Sequence, residues 1–172
     1  MIHVCSLRAA QGEIDLHGIR RMISILGPET PHRRFDGVSH SDHLQMTFND
    51  VAAATDGMMS PGASDVETLL HFVRRWDKVS PLLVHCWAGV SRSTAAAYIA
   101  QCALNPRADA FKLAQDLRDI SPSATPNRMM VAFADELLGR DGRMVEGIAK
   151  IGRGADAFEG GPFKWELDQP PV

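Results

Sequence analysis

Leu82-Leu83-Val84-His85-Cys86-Trp87-Ala88-Gly89-Val90-Ser91-Arg92-Ser93-Thr94 decides the reading of this chain, because it runs from a buried-strand pattern through a short loop into a helix. Pro81 punctuates the entry, and three branched residues in a row suit a strand covered on both faces. From Ser93 onward, Ser-Thr-Ala-Ala-Ala-Tyr-Ile-Ala-Gln-Cys-Ala-Leu is a good helix former with no Gly or Pro before Pro106. The loop therefore opens a helix N-terminus, where unpaired N–H groups and the positive end of the helix dipole attract an anion. Gly89 lets the backbone turn those N–H groups around a phosphate-sized ligand.

Trp87, Ala88, Gly89, Val90, Ser91 and Arg92 are accordingly candidate phosphate-binding residues. Cys86 starts the loop, in a field that favours the thiolate, the nucleophilic form of the side chain. Arg92 brings a planar fork that can grip two oxygens of a phosphoryl group. Ser93 can donate a hydrogen bond to the thiolate and help it leave, and His85 is expected to order the loop from behind. Taken singly, a buried inert Cys86 and a surface Arg92 would be unremarkable; the ordered string is what points to chemistry.

The bulk properties fit a compact enzyme. At 172 residues and 45% hydrophobic content, one domain with a sizeable core is expected. Eighteen basic residues against 21 acidic ones give no bias towards nucleic acid or membrane as a partner. Met1-Ile2-His3-Val4-Cys5 lacks the pattern of a secretion signal, and no apolar run is long enough to span a bilayer. Cys5, Cys86 and Cys102 make an odd count without metal-binding pairs, so a reducing cytoplasm is the expected setting. His17, His32, His40 and His43, with Asp42, read as scattered surface groups without Glu or Cys partners at ligand spacing. No metal or other cofactor is expected.

The elements alternate in α/β order. Ile2 to Leu7 reads as a strand, Ile14 to Met22 as a helix leading into Ile23 to Leu26, and His43 to Phe48 as a strand after a polar loop. Ser64 with Glu67 suggests a capping box, followed by Val66, Leu69, Leu70, Val73 and Trp76 at helical spacing. Further helices are predicted from Ser93 to about Leu104, from Asn105-Pro106, and from Thr125-Pro126 to Gly139, with a short one at Arg143 to Ile151. Phe158 to Val172 reads as an irregular tail that Phe163 and Trp165 can pin to the body. The expected fold is a single α/β domain, with a mostly parallel central sheet of about four or five strands flanked by helices.

His-Cys-x5-Arg-Ser resembles the signature of the cysteine-based protein tyrosine and dual-specificity phosphatases, here in the form of a small bacterial-type member. The resemblance covers about residues 43 to 138. It implies a catalytic domain over residues 1–140, with 141–172 as an extension packed on it or trailing from it. It also implies a two-step phosphomonoester hydrolysis through a cysteinyl-phosphate, with Cys86 as nucleophile, Arg92 as clamp and an upstream Asp as general acid. The candidates are Asp50, Asp56 and Asp65. Asp50 follows a strand end, where the cradle opens; Asp56-Gly57 is a turn signature; Asp65 stands beside a helix cap, which would hold it ionised. We take Asp50, with Asp56 as the alternative. Leu117-Arg118, Pro122 and Pro126-Asn127 also resemble the family element that packs an Arg and an Asn against the catalytic loop, although Arg118 as a solvated residue and Asn127 as an early helical one are equally open.

Phosphoinositide phosphatases with this loop tend to place lysines in it, whereas Trp87, Ala88, Val90 and Ser91 occupy its variable positions here. That implies a less charged substrate, a phosphorylated protein or a small phosphomonoester, with tyrosine-only and dual specificity both open. Trp87 can stack on an aryl ring or pack beneath the loop. The competing readings are a rhodanese-like sulfurtransferase and a non-catalytic phosphate-binding module. The five-residue gap from Cys86 to Arg92 and the retention of both residues weigh against them.

Overall fold

The computed structural model describes residues 1–167. Five strands form one sheet: β1 (Ile2–Ser6), β2 (Arg21–Leu26), β3 (His43–Thr47), β4 (Leu82–Cys86) and β5 (Phe163–Trp165). They lie in the order β3-β2-β4-β1-β5, the first four parallel and β5 antiparallel to β1. The helices are α1 (Ala10–His17), α2 (Ala63–Arg74), α3 (Arg92–Leu104), α4 (Ala110–Ile120), α5 (Arg128–Leu137) and α6 (Arg143–Ile151). No helix among the described residues is long and apolar enough to cross a membrane.

Alternation along the strands divides the core in two. Ile2, Val4, Ile23, Ile25, Leu82 and Val84 face α2 to α6 in the larger cluster. Cys5, Met22 and Leu83 face the other way, against Ala10 and Ile14 of α1 and Phe35 of the long β2–β3 connection. The sheet is thus covered on both sides, as expected for parallel strands. Helix α3 lies at the centre, and Arg92 to Cys102 are all buried. Its Ala-rich sequence lets it sit between the sheet and α2, α4 and α5.

Several boundaries differ from the sequence reading. Helix α1 starts earlier and stops at Gly18 (φ 61°), so Met22 belongs to β2 rather than to a helix. Helix α2 begins at a cap on Gly62, whose N–H donates to Asp65 Oδ2 (2.8 Å), and not at a Ser64–Glu67 box. Asn105-Pro106 forms a turn closed by Ala108 N–H on Asn105 O (3.0 Å); α4 starts later, where Asp109 Oδ1 accepts from Phe111 N (3.1 Å). Thr125-Pro126 precedes α5, whose cap is Asn127. The expected irregular tail contains an edge strand, with Phe163 opposite Val4 and Trp165 opposite Ile2, while its last five residues lie outside the described ones.

Helix α6 has no side-chain cap of its own. The buried Asp135 carboxylate of α5 takes that place, accepting from the backbone N–H of Gly142 (2.6 Å), Met144 (2.7 Å) and Val145 (3.3 Å). Hydrogen bonds to a charged group contribute about 1.5–3 kcal/mol. Asp135→Ala should therefore lower the unfolding free energy by about 2–3 kcal/mol in urea titration, and a change near zero would show that the carboxylate does not hold α6.

Candidate active site

The parallel strands end on one edge, and the loop after β4 rises there, as ligand sites in α/β sheets do. Cys86 Sγ sits at its base, 3.2 Å from Ser93 Oγ and 3.3 Å from Gly89 N, whose N–H donates to the sulfur. Gly89 has φ 74°, and a Cβ there would lie 2.8 Å from backbone atoms of Cys5 and Ser6. Glycine is thus required both for the turn and for the room.

Why the N–H groups converge follows from where the carbonyls go. In a planar trans peptide C=O and N–H point in opposite directions, and the described residues contain no cis bond. Trp87 O accepts from Leu7 N (3.2 Å), Ala88 O from Gly160 N (2.9 Å), Val90 O from Thr125 N (2.9 Å) and Ser91 O from Asn127 N (3.3 Å). The four carbonyls are tied outward to three parts of the fold, the β1–α1 turn, the C-terminal segment and the α4–α5 turn, so the following N–H groups turn inward.

Arg92 is buried, and its guanidinium donates to Phe48 O just after β3 (2.9 Å). Its Nε is buried, has no hydrogen-bond partner among the described residues, and lies 3.9 Å from Asp50 Oδ2. Asp50 Oδ1 accepts from Ser91 Oγ (2.7 Å) and Asn127 Nδ2 (2.9 Å), which brings the carboxyl to the rim of the cradle. Asn127 also donates to Val51 O (2.9 Å), while its Oδ1 caps α5 on Met130 N (3.1 Å). Asn49 ties the base of the Asp50 loop through Asn49 N–H on Met59 O (2.7 Å) and Met59 N–H on Asn49 Oδ1 (2.8 Å). Asp56 lies exposed on a Thr55–Met58 turn, and Asp65 caps α2. Arg118 makes its hydrogen bonds away from the loop: it donates to Pro122 O (2.6 Å), Ala124 O (2.8 Å) and Gly152 O (2.9 Å), bracing the turn that delivers Thr125 and Asn127.

Behind the loop His85 is fully buried, in register opposite Ser24. Its Nδ1 reaches Cys86 O (3.3 Å), its Nε2 meets Ser24 Oγ (2.6 Å), and Ser24 Oγ meets His43 Nε2 (2.7 Å). Burial pushes both imidazoles down to about 4, so both are neutral at pH 7. A carbonyl can only accept, which fixes the direction of the chain: His85 Nδ1–H donates to Cys86 O, Ser24 O–H to His85 Nε2, and His43 Nε2–H to Ser24 Oγ. Ser24 and His43 carried no motif signal, and only the strand register reveals them.

Trp87 is about half exposed and packs edge-to-face on Phe158 (5.4 Å between centroids), not beneath the loop. All three cysteines are free; burial raises the thiols of Cys5 and Cys102, the latter to about 12. The one group of side chains among the described residues that could hold a metal is His3, Glu13 and His17, with His3 Nδ1 and His17 Nε2 3.4 and 3.5 Å from Glu13 Oε2. This gives His17 a Glu partner on its own helix that was not expected from the sequence, beside His3 of β1. Asp42 pairs with Arg21 instead (2.7 Å).

No family model and no curated protein sequence matches the chain. Solved structures do. DUSP15 superposes with a TM-score of 0.62 at 18% identity over 87% of this chain and 89% of that one. The Cydia pomonella PTP-2 phosphatase gives 0.61 at 19% identity, covering 78% and 84%, and human DUSP28 gives 0.61 at 18%, covering 81% and 92%. The chain has the fold of the cysteine-based tyrosine and dual-specificity phosphatases.

Because His43 and His85 titrate lower in the folded protein than the ordinary 6.5, the unfolded chain binds more protons between about pH 4 and 6.5. Their contribution to stability is complete above that window and is lost as pH falls through it. The melting temperature should drop on acidification from pH 7 to 4.5, and His43→Gln should flatten that slope in a scanning-calorimetry series; an identical slope would remove His43 from the chain.

Proposed function

We propose that this protein is a phosphomonoester hydrolase working through a cysteinyl-phosphate, of the protein tyrosine or dual-specificity kind. One observation carries the reading: on the same short loop, Gly89 N–H donates to Cys86 Sγ (3.3 Å), and the buried Arg92 Nε lies 3.9 Å from the Asp50 carboxyl. A phosphate-binding turn would need neither a sulfur at its floor nor a carboxyl at its rim.

In the first step the Cys86 thiolate attacks phosphorus in line. The loop N–H groups and Arg92 hold the equatorial oxygens, whose charge is spread in the transition state, and Asp50 protonates the departing alkoxide or phenoxide. In the second step Asp50 takes a proton from water, which attacks the cysteinyl-phosphate, and Ser93 donates to the departing sulfur. Ser91 and Asn127 fix Asp50 through the same oxygen, which leaves Oδ2 for the proton. The scheme takes no electrons and calls on no metal-bound species.

For the substrate we infer a phosphorylated protein or small aryl phosphate with few further charges. The reason is the lysine-free loop, where Trp87 offers an exposed ring beside the cradle. A thiolate nucleophile suits a reducing compartment such as the cytoplasm.

Two outcomes test this. Cys86→Ser should abolish hydrolysis of para-nitrophenyl phosphate, and retained turnover would remove the nucleophile. Asp50→Asn should lower kcat about 10²–10⁴-fold while leaving the affinity for inorganic phosphate nearly intact. Asp56→Asn should leave both unchanged; the reverse pattern would transfer the acid role to Asp56.

A further inference from the structure

We propose that the C-terminal segment Phe158–Gly160 is a working part of the cradle, with Gly160 the positioning residue that keeps the Gly89 N–H turned onto the oxyanion. For turnover this rests on the phosphatase reading above; for anion binding it does not.

The Ala88–Gly89 peptide is the one that must face the sulfur, since Gly89 N–H reaches Cys86 Sγ at 3.3 Å. The carbonyl end of that peptide is held by Gly160 N–H (2.9 Å), from a segment more than seventy residues downstream. If this tie were lost, the peptide could rotate about the flexible Gly89 and present its carbonyl oxygen, a dipole of the wrong sign, to the anion. The approach is close: Gly160 is buried, and a Cβ on it would stand 2.9 Å from Gly89 O and 3.4 Å from Gly89 C. Backbone meets backbone here, so neither side can yield cheaply. The next residue, Gly161, has open space around its Cα.

The segment is built to stay in place. Ser6 Oγ–H donates to Glu159, and Arg8 Nε pairs with the same carboxylate (3.3 Å). Phe158 lies edge-on to Trp87 of the loop. Upstream, Ala155 N–H donates to Pro122 O (2.9 Å) and Gly154 N–H to Thr125 Oγ1 (3.0 Å), and downstream β5 pairs with β1. Residues 154–165 thus run from the α4–α5 turn, across the outer wall of the cradle, to the edge of the sheet. Phe158 and Glu159 also line a hollow with Leu7, Arg8, Arg33 and Trp87, so the same segment walls the surface beside the loop.

The test compares Gly160→Val, Gly160→Ala and Gly161→Ala in the full chain, reading the dissociation constant of inorganic phosphate by calorimetry, kcat and KM on para-nitrophenyl phosphate, and the melting temperature. One oxyanion donor contributes about 10²–10³ in rate. Gly160→Ala should therefore lower kcat at least tenfold and weaken phosphate binding, with Gly161→Ala like wild type in all readings. If Gly160→Val does not fold, Phe158→Ala/Glu159→Gln, which adds no bulk, should still weaken phosphate binding severalfold at an unchanged melting temperature. Wild-type phosphate affinity and kcat in the Gly160→Ala protein would overturn the inference. Absence of turnover in the wild type, with phosphate binding still sensitive to Gly160, would instead defeat the phosphatase reading alone.

Discussion

An anion cradle made of backbone is constrained by peptide planarity. To aim successive N–H groups at one point, the chain must send the preceding carbonyls outward, and a carbonyl pressed against the protein body needs a donor there. Four carbonyls of the Cys86–Arg92 loop find their donors in the β1–α1 turn, the α4–α5 turn and the C-terminal segment. The rest of the architecture delivers those segments. β1 lies beside β4 in register, Arg118 braces the turn at 122–124, and β5 anchors the chain after Gly160.

The second requirement is electrostatic. A fixed positive potential must reach the sulfur without a mobile charge behind it. The N-terminus of α3 and the buried Arg92 supply the potential. On the far side stand neutral imidazoles, joined through Ser24, that stiffen the Cys86 carbonyl without adding charge at neutral pH. Arg92 is in turn placed by Phe48 O, and Asp50 follows two residues later, so both side chains depend on one strand end.

Much of this was legible in the sequence because it is local. The β4-loop-α3 string keeps cysteine, glycine, arginine and serine within a few residues, and strand β4 lies where its branched run predicts. The place of Asp50 beside the loop was legible because a strand end positions it. Misread starts at α2 and α4 share one cause: several residues in each stretch can cap, and the tertiary setting picks among them. Thus Asp65 caps Gly62 although Ser64 stood ready, and Asp109 rather than Asn105 opens α4. The long-range ties were invisible. Nothing in Ser24, Leu7 or Gly160 signals a role until register and the return of the chain bring them to the loop. The tail looked irregular because three residues of edge strand carry too little periodicity to register.

The most direct test of this account is a crystal structure of the protein with orthovanadate. Vanadium should sit on Cys86 Sγ, with its equatorial oxygens on the loop N–H groups and Arg92 and an apical oxygen within hydrogen-bonding reach of Asp50. Vanadate bound away from Cys86, or an apical oxygen that faces another acid while Asp50 points to solvent, would contradict it.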